Sequence, residues 1–171
     1  MHSRYSSNPS RDASYDDLAL RITKLGLLIH LIVPVLIVVA AYILRQQGMG
    51  VEPAARGDSY MFILFVLLAV ALSEPIVAFF LRRLLLAPEK VRSLIGQRAA
   101  LEALFVRTFL IVFCIGATPI VYGVVLLFLG GQITDVVGFA LITLVSYRLL
   151  RPDAEFLVGV VKAASTPAVT T

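Results

Sequence analysis

Four stretches of mostly apolar residues dominate the chain, each about 20 residues long, the length a helix needs to cross a bilayer core. They run from Leu25 to Leu44, Tyr60 to Leu81, Thr108 to Leu129 and Ile133 to Leu150. Hydrocarbon offers no water to backbone N–H and C=O groups, so each stretch must satisfy its own, and a helix does so within one segment. Strands of a membrane barrel would be shorter and would alternate apolar with polar residues. The sequence therefore predicts an all-α fold, an integral membrane four-helix bundle. Composition agrees: 59% of the 171 residues are hydrophobic and 15% charged, whereas a water-soluble domain is about 45–50% apolar and a quarter charged. An ordinary soluble enzyme is excluded on that ground. A single cysteine excludes an intrachain disulfide framework and any multi-cysteine zinc or iron–sulfur site.

The net charge of +4 is explained by where the basic residues sit. Arg4, Arg11, Arg21 and Lys24 precede the first stretch, and Arg82, Arg83, Lys90, Arg92, Arg98 and Arg107 lie between the second and third. Arg148, Arg151 and Lys162 follow the fourth, while the other side has only Arg45 and Arg56. Basic residues are retained in the cytoplasm, so thirteen of the fifteen place both termini and the central connection there. A bacterial inner membrane is the expected location, and no nucleic-acid partner is needed to account for the charge. Val39-Ala40-Ala41 has the small residues of a cleavage site, but the apolar run exceeds the about 7–15 residues of a signal peptide, so an uncleaved anchor is expected. His2 and the terminal Thr170-Thr171 match no lipidation signal.

The ends and connections are expected to differ from the spans. Residues 1–17 read as a disordered cytoplasmic tail rich in Ser, 18–151 as the four-span domain, and 152–171 as a cytoplasmic amphipathic tail. Leu18, Ile22 and Leu25 share a helix face leading into the first span. Glu89 to Leu104 carries Val91, Leu94, Ile95 and Leu101 on one side, the pattern of a short amphipathic helix on headgroups or of a solvated, positively charged loop. After Pro152, Asp153 and Glu155 favour a helix start, and Phe156, Leu157, Val160 and Val161 form its apolar stripe. The Arg56-Gly57-Asp58 tripeptide in the first loop is what chance supplies in an ordinary loop.

An ionisable side chain within a span is costly and marks a candidate site. Glu74 is the outstanding one, about 10 Å from the cytoplasmic end of its span, and His30 lies about 8 Å from the same side of the first span. The two spans run antiparallel, so the side chains are expected at one level, where Cys114, Thr143 and Ser146 also fall. A carboxylate in hydrocarbon is either protonated or paired. Glu74, His30, Thr143 and Cys114 are thus candidates for a proton or ion site; equally, a carboxyl and an imidazole can serve as hydrogen-bonding glue between helices. One His, one Glu and one Cys on separate helices lack metal-ligand spacing, so neither a metal nor another cofactor is expected. No Ser/His/Asp set, phosphate-binding glycine loop or HExxH motif is present, so no enzyme is expected. Pro34, Pro75 and Pro119 each remove a backbone hydrogen bond within a span, Pro75 directly after the acid. Gly116, Gly123 and Gly130 recur every seven residues and are expected to let another helix approach, within the bundle or from an oligomer.

The segment Gly116-Ala117-Thr118-Pro119-Ile120-Val121-Tyr122-Gly123-Val124-Val125, continuing to Phe128-Leu129-Gly130-Gly131, resembles the outer helix of rotary ATPase proteolipid (c or K) subunits. It is similar also to small four-span bacterial membrane proteins of unknown function. In the proteolipids a carboxylate about one turn before the Tyr-Gly pair carries the ion; the position aligned with it here is Ala117. The resemblance, confined to this helix, implies close helix packing and not ion translocation by the third span. Taken together, the sequence points to a non-enzymatic membrane subunit or accessory protein in contact with the lipid bilayer and with a membrane protein partner or further copies of itself. The alternative is a proton- or ion-coupled carrier component centred on Glu74 and His30.

Overall fold

The structure is a computed structural model that describes residues 9–48 and 58–166, with side chains from Tyr15 onward. Arg56 and Gly57 of the tripeptide, residues 1–8 of the tail and the Thr-containing end 167–171 lie outside the described residues. The fold is all-α. Its helices are α1 (Pro9–Leu27), α2 (Val33–Gln46), α3 (Asp58–Leu85), α4 (Pro88–Arg92), α5 (Arg98–Ala117), α6 (Pro119–Phe128), α7 (Ile133–Leu150) and α8 (Ala154–Ser165). Four stretches are long and apolar enough to cross a membrane: Tyr15–Gln46, Asp58–Leu85, Arg98–Phe128 and Ile133–Leu150. The last matches the sequence expectation at both ends. The others run longer, because a helix need not stop where the hydrocarbon does. The first begins within the stretch 9–17 that the sequence assigns to a disordered tail: Pro9 suits a helix start, and Asp17 pairs with Arg21 one turn on at 2.8 Å.

Each internal proline is accommodated differently. Pro34 has no N–H to give the carbonyl of His30, and α1 passes into α2 through a single π turn, Leu28–Ile32, closed by Val33 N–H to the Leu28 carbonyl. Pro75 stays inside an unbroken α3 and frees the carbonyl of Ala71. Pro119 opens α6 after a break at Thr118, whose N–H bonds Ile115 O at 3.1 Å and whose hydroxyl donates to Cys114 O at 3.2 Å.

α7 packs against α2, α3, α5 and α6. Gly116 and Gly123 seat it: a Cβ on Gly123 would lie 2.9 Å from Val136 Cα, and one on Gly116 would lie 2.8 Å from a Leu150 methyl. This glycine face is therefore buried within the chain's own bundle. Gly130 is not part of it. It follows the end of α6 at φ +88°, a left-handed turn position that ends the helix.

The first and last described helices meet at one end of the bundle, where α1 and α4 pack on α8. Asp153 caps α8 by accepting from Phe156 N–H at 2.7 Å, and Leu157 and Ala164 are buried. Arg92 closes the other end, donating to Ala164 O and Thr166 O at 2.8 Å each. The short C-terminal helix is thus docked on protein through its apolar stripe. Over Glu89–Leu104, for which the sequence left a surface helix and a solvated loop open, neither describes the whole stretch: α4 stops at Arg92, Gly96 turns the chain at φ +98°, and Arg98 already belongs to α5. At the opposite end Tyr60 donates to Asp135 (2.6 Å), which also caps α7, and Arg45 donates to Gly131 O (2.8 Å).

The Gly123 contact gives a direct expectation. Because the nearest atom is backbone, Gly123→Ala should force α6 and α7 apart and destabilise the protein by about 1–3 kcal/mol, whereas Gly138→Ala, with open space around it, should not. Thermal unfolding in detergent measures both.

Candidate functional site

α3 presents one inward stripe, Tyr60, Leu64, Leu67, Ala71, Glu74, Ala78 and Arg82, at spacings of three or four residues. That is the seam by which a helix packs in a left-handed bundle, and two of its positions carry charge-bearing groups. Glu74 stands near the middle of the 28-residue helix, about 24 Å from Asp58 and about 17 Å from Leu85 by helical rise. It lies further from the end of its helix than the sequence suggests because α3 continues past Leu81. Tyr122 of α6 donates its hydroxyl to Glu74 Oε1 at 2.5 Å, and its ring meets Phe139 of α7 edge-on at 6.2 Å. Glu74 Oε2 is buried with no protein partner among the described residues.

His30 occupies a separate place. It lies fully buried in the π turn that Pro34 imposes, 5.3 Å from the ring of Phe113 and 5.5 Å from that of Tyr147. Nδ1 donates to Gly26 O at 3.1 Å, one turn back, which places the ring proton on Nδ1. Nε2 has no partner among the described residues and faces Gly116, where a Cβ would come within 3.0 Å. No hydrogen bond joins His30 to Glu74. His30 is level with Gly116 and Glu74 with Tyr122, six residues or about 9 Å further along α5 and α6.

The remaining members of the expected layer form no hydrogen bond with either group among the described residues, although Ser146 Cβ borders Gly116 opposite His30 Nε2. Thr143 is buried and donates to Phe139 O at 3.1 Å, and Ser146 donates to Ile142 O at 2.9 Å, both along their own helix. Cys114 is exposed on the outer side of α5. Among the described residues no three His, Cys, Asp or Glu side chains come together as a metal site would require. The single polar layer expected from depth alone is therefore two sites, a Glu74–Tyr122 pair between α3 and α6 and an isolated imidazole at the turn from α1 to α2.

Arg82 is a buried cation that charge counting assigns only to topology. Its guanidinium lies 4.4 Å from the Phe156 ring centroid, 5.2 Å from Phe79 and 6.0 Å from Phe109, and Nη1 donates to Leu150 O at the end of α7 at 3.4 Å. It joins α3, α5, α7 and α8 through aromatic faces and a helix C-terminus, both of which favour a cation. The sequence holds a signal for it: Arg82 falls eight residues after Glu74, on the same stripe, and Arg83 does not. Tyr122 had a weaker signal, a hydroxyl within an apolar helix.

No protein-family model, curated protein or solved structure matches the chain.

Removing the Tyr122 hydroxyl strips Glu74 of the one donor it has among the described residues. Tyr122→Phe should cost about 0.5–2 kcal/mol in detergent unfolding, and in a double-mutant cycle with Glu74→Gln most of that cost should be shared between the two changes.

Proposed function

We propose that the chain is a non-enzymatic, multi-pass subunit or accessory protein of a bacterial inner membrane, working through helix contacts in the membrane plane with both termini in the cytoplasm. The observation that supports this reading best is the way the intramembrane hydroxyls are spent. Thr143, Ser146 and Thr118 bond their own helices, and Tyr122 bonds Glu74 across one helix contact. Hydroxyls spent on their own helix or on one helix contact are not turned toward a polar path through the bundle, and the Tyr122–Glu74 bond holds two helices together. α3, by contrast, is the least covered of the four spans, and it turns Phe62, Phe65, Leu72, Ile76 and Phe80 outward. A helix so placed meets lipid or a companion in the membrane. The cytoplasmic assignment of the termini rests on the distribution of Lys and Arg.

One observation favours the second reading, a proton- or ion-coupled carrier component. Glu74 Oε2 is buried and unpartnered beside Pro75, which frees the Ala71 carbonyl on the same stripe. Tyr122 bonds this carboxylate from α6, although Glu74 lies on a different span of opposite direction and does not take the place of the acid that the proteolipid helix carries.

Purification from native membranes in mild detergent separates the two readings. The subunit reading predicts a stoichiometric companion that Glu74→Gln leaves bound. A homogeneous homo-oligomer, with a proton-dependent flux in vesicles that Glu74→Gln abolishes, would overturn it.

A further inference from the structure

Toward the end of the bundle where α8 docks, every span carries an exposed basic residue at a similar level: Lys24 on α1, Arg83 on α3, Arg107 on α5 and Arg148 on α7. Contacts between the helices fix that level. Tyr147, next to Arg148, donates its hydroxyl to the carbonyl of Thr23, next to Lys24, at 3.1 Å. Arg82, next to Arg83, donates to Leu150 O of α7, and its guanidinium lies 6.0 Å from the ring centroid of Phe109, two residues from Arg107. The four cations thus form a belt about two helical turns deep, roughly 10 Å.

Two features define the belt. None of the four has a carboxylate partner among the described residues, whereas Arg21 pairs with Asp17 at 2.8 Å and Arg92 is held by carbonyls of the α8 end. Each also has a large apolar side chain exposed three residues away, on the same face and toward the middle of the bundle: Leu27 beside Lys24, Phe80 beside Arg83, Leu110 beside Arg107 and Val145 beside Arg148. Lys90 and Arg151 are equally exposed but lack such a neighbour. A cation without a protein anion, one turn outward of an exposed hydrophobe, is the complement of a phospholipid: the phosphate meets the charge and the first acyl carbons meet the apolar group. A soluble anion would use the charge and leave the hydrophobe unmatched.

We propose that Lys24, Arg83, Arg107 and Arg148 form a belt that binds anionic phospholipids of the phosphatidylglycerol type through their phosphates. Charge selects the headgroup. An anionic lipid brings an uncompensated negative charge to each cation. A zwitterionic lipid brings the same phosphate together with an ammonium group, which the four cations repel and for which the belt holds no carboxylate. The belt is in this reading a lipid-binding surface, and its charges do more than orient the spans.

The test uses the purified full chain in mild detergent, titrated with phosphatidylglycerol, phosphatidylethanolamine and phosphatidylcholine of the same acyl chains and read by native mass spectrometry. Phosphatidylglycerol should bind roughly fivefold more tightly than either zwitterionic lipid. Arg107→Gln and Arg148→Gln should each reduce that preference, and combined with Lys24→Gln and Arg83→Gln they should abolish it. Lys90→Gln, at the same end but without the apolar neighbour, should leave it unchanged. Equal retention of the three lipids by the unaltered protein overturns the proposal without recourse to any variant. So does a preference that the single belt variants leave intact, which would limit these residues to orienting the spans, or one that Lys90→Gln lowers as much as Arg107→Gln, which would indicate diffuse charge. Displacement by millimolar glycerophosphoglycerol would overturn the lipid as occupant in favour of a soluble anion. The outcome is independent of whether a companion subunit is found.

Discussion

A helix in hydrocarbon settles its backbone hydrogen bonds internally, and everything else about this chain follows from what that leaves over. Burial of apolar surface gives no general drive for helices to associate in lipid, since lipid tails are as apolar as leucine. What joins the helices is close approach and a few polar contacts. Gly123 supplies the approach by letting α7 come to backbone distance, and Gly116 leaves room for the side chains of Leu150 and His30. Tyr122 with Glu74, Tyr60 with Asp135, and Arg45 with the Gly131 carbonyl supply the contacts, and each links helices distant in sequence.

The two ends of the bundle are built on different physics. At the end that carries the termini, the spans outlast the hydrocarbon and a conventional apolar cluster forms. Phe105, Phe109 and Phe113 of α5 lie at its centre, with Leu157 and Ala164 of α8 and Val91 of α4 closing it. Arg82 belongs to this cluster as a cation among rings, and Arg92 ties down the end of α8. Midway along the bundle the interior is sparser, and two of the three buried groups with an unpartnered atom among the described residues sit there, Arg82 Nε in the terminal cluster being the third. His30 and Glu74 each keep one bond and leave one atom without a protein partner among the described residues. Both lie at or beside a proline, so side chain and backbone irregularity coincide at the same two places.

Much of this was legible in the sequence, for reasons that also explain what was not. Ile133–Leu150 was readable at both ends because Gly130-Gly131 and Arg151-Pro152 bracket it. The third span was readable only from Thr108, since Arg98, Glu102 and Arg107 depress its hydropathy while the helix runs on regardless. Glu74 and His30 were visible as costly residues. Their separation was not, because depth was counted from helix ends that hydropathy misplaces: α3 extends to Leu85, and the π turn shifts α1 against α2. Arg82 was hidden by its neighbours, being one of many basic residues between the second and third spans until the stripe of α3 sets it apart from Arg83. Gly130 matched a seven-residue repeat by spacing, but the helix had ended two residues earlier.

The most direct measurement of the central claim is cysteine accessibility in a Cys114→Ala background, with single cysteines at Gln47, Lys90 and Lys162 and a membrane-impermeant maleimide. An even number of crossings with the termini inside predicts that Gln47→Cys is labelled on intact cells and that Lys90→Cys and Lys162→Cys are labelled only after permeabilisation. Labelling of Lys90→Cys or Lys162→Cys from outside intact cells would contradict it.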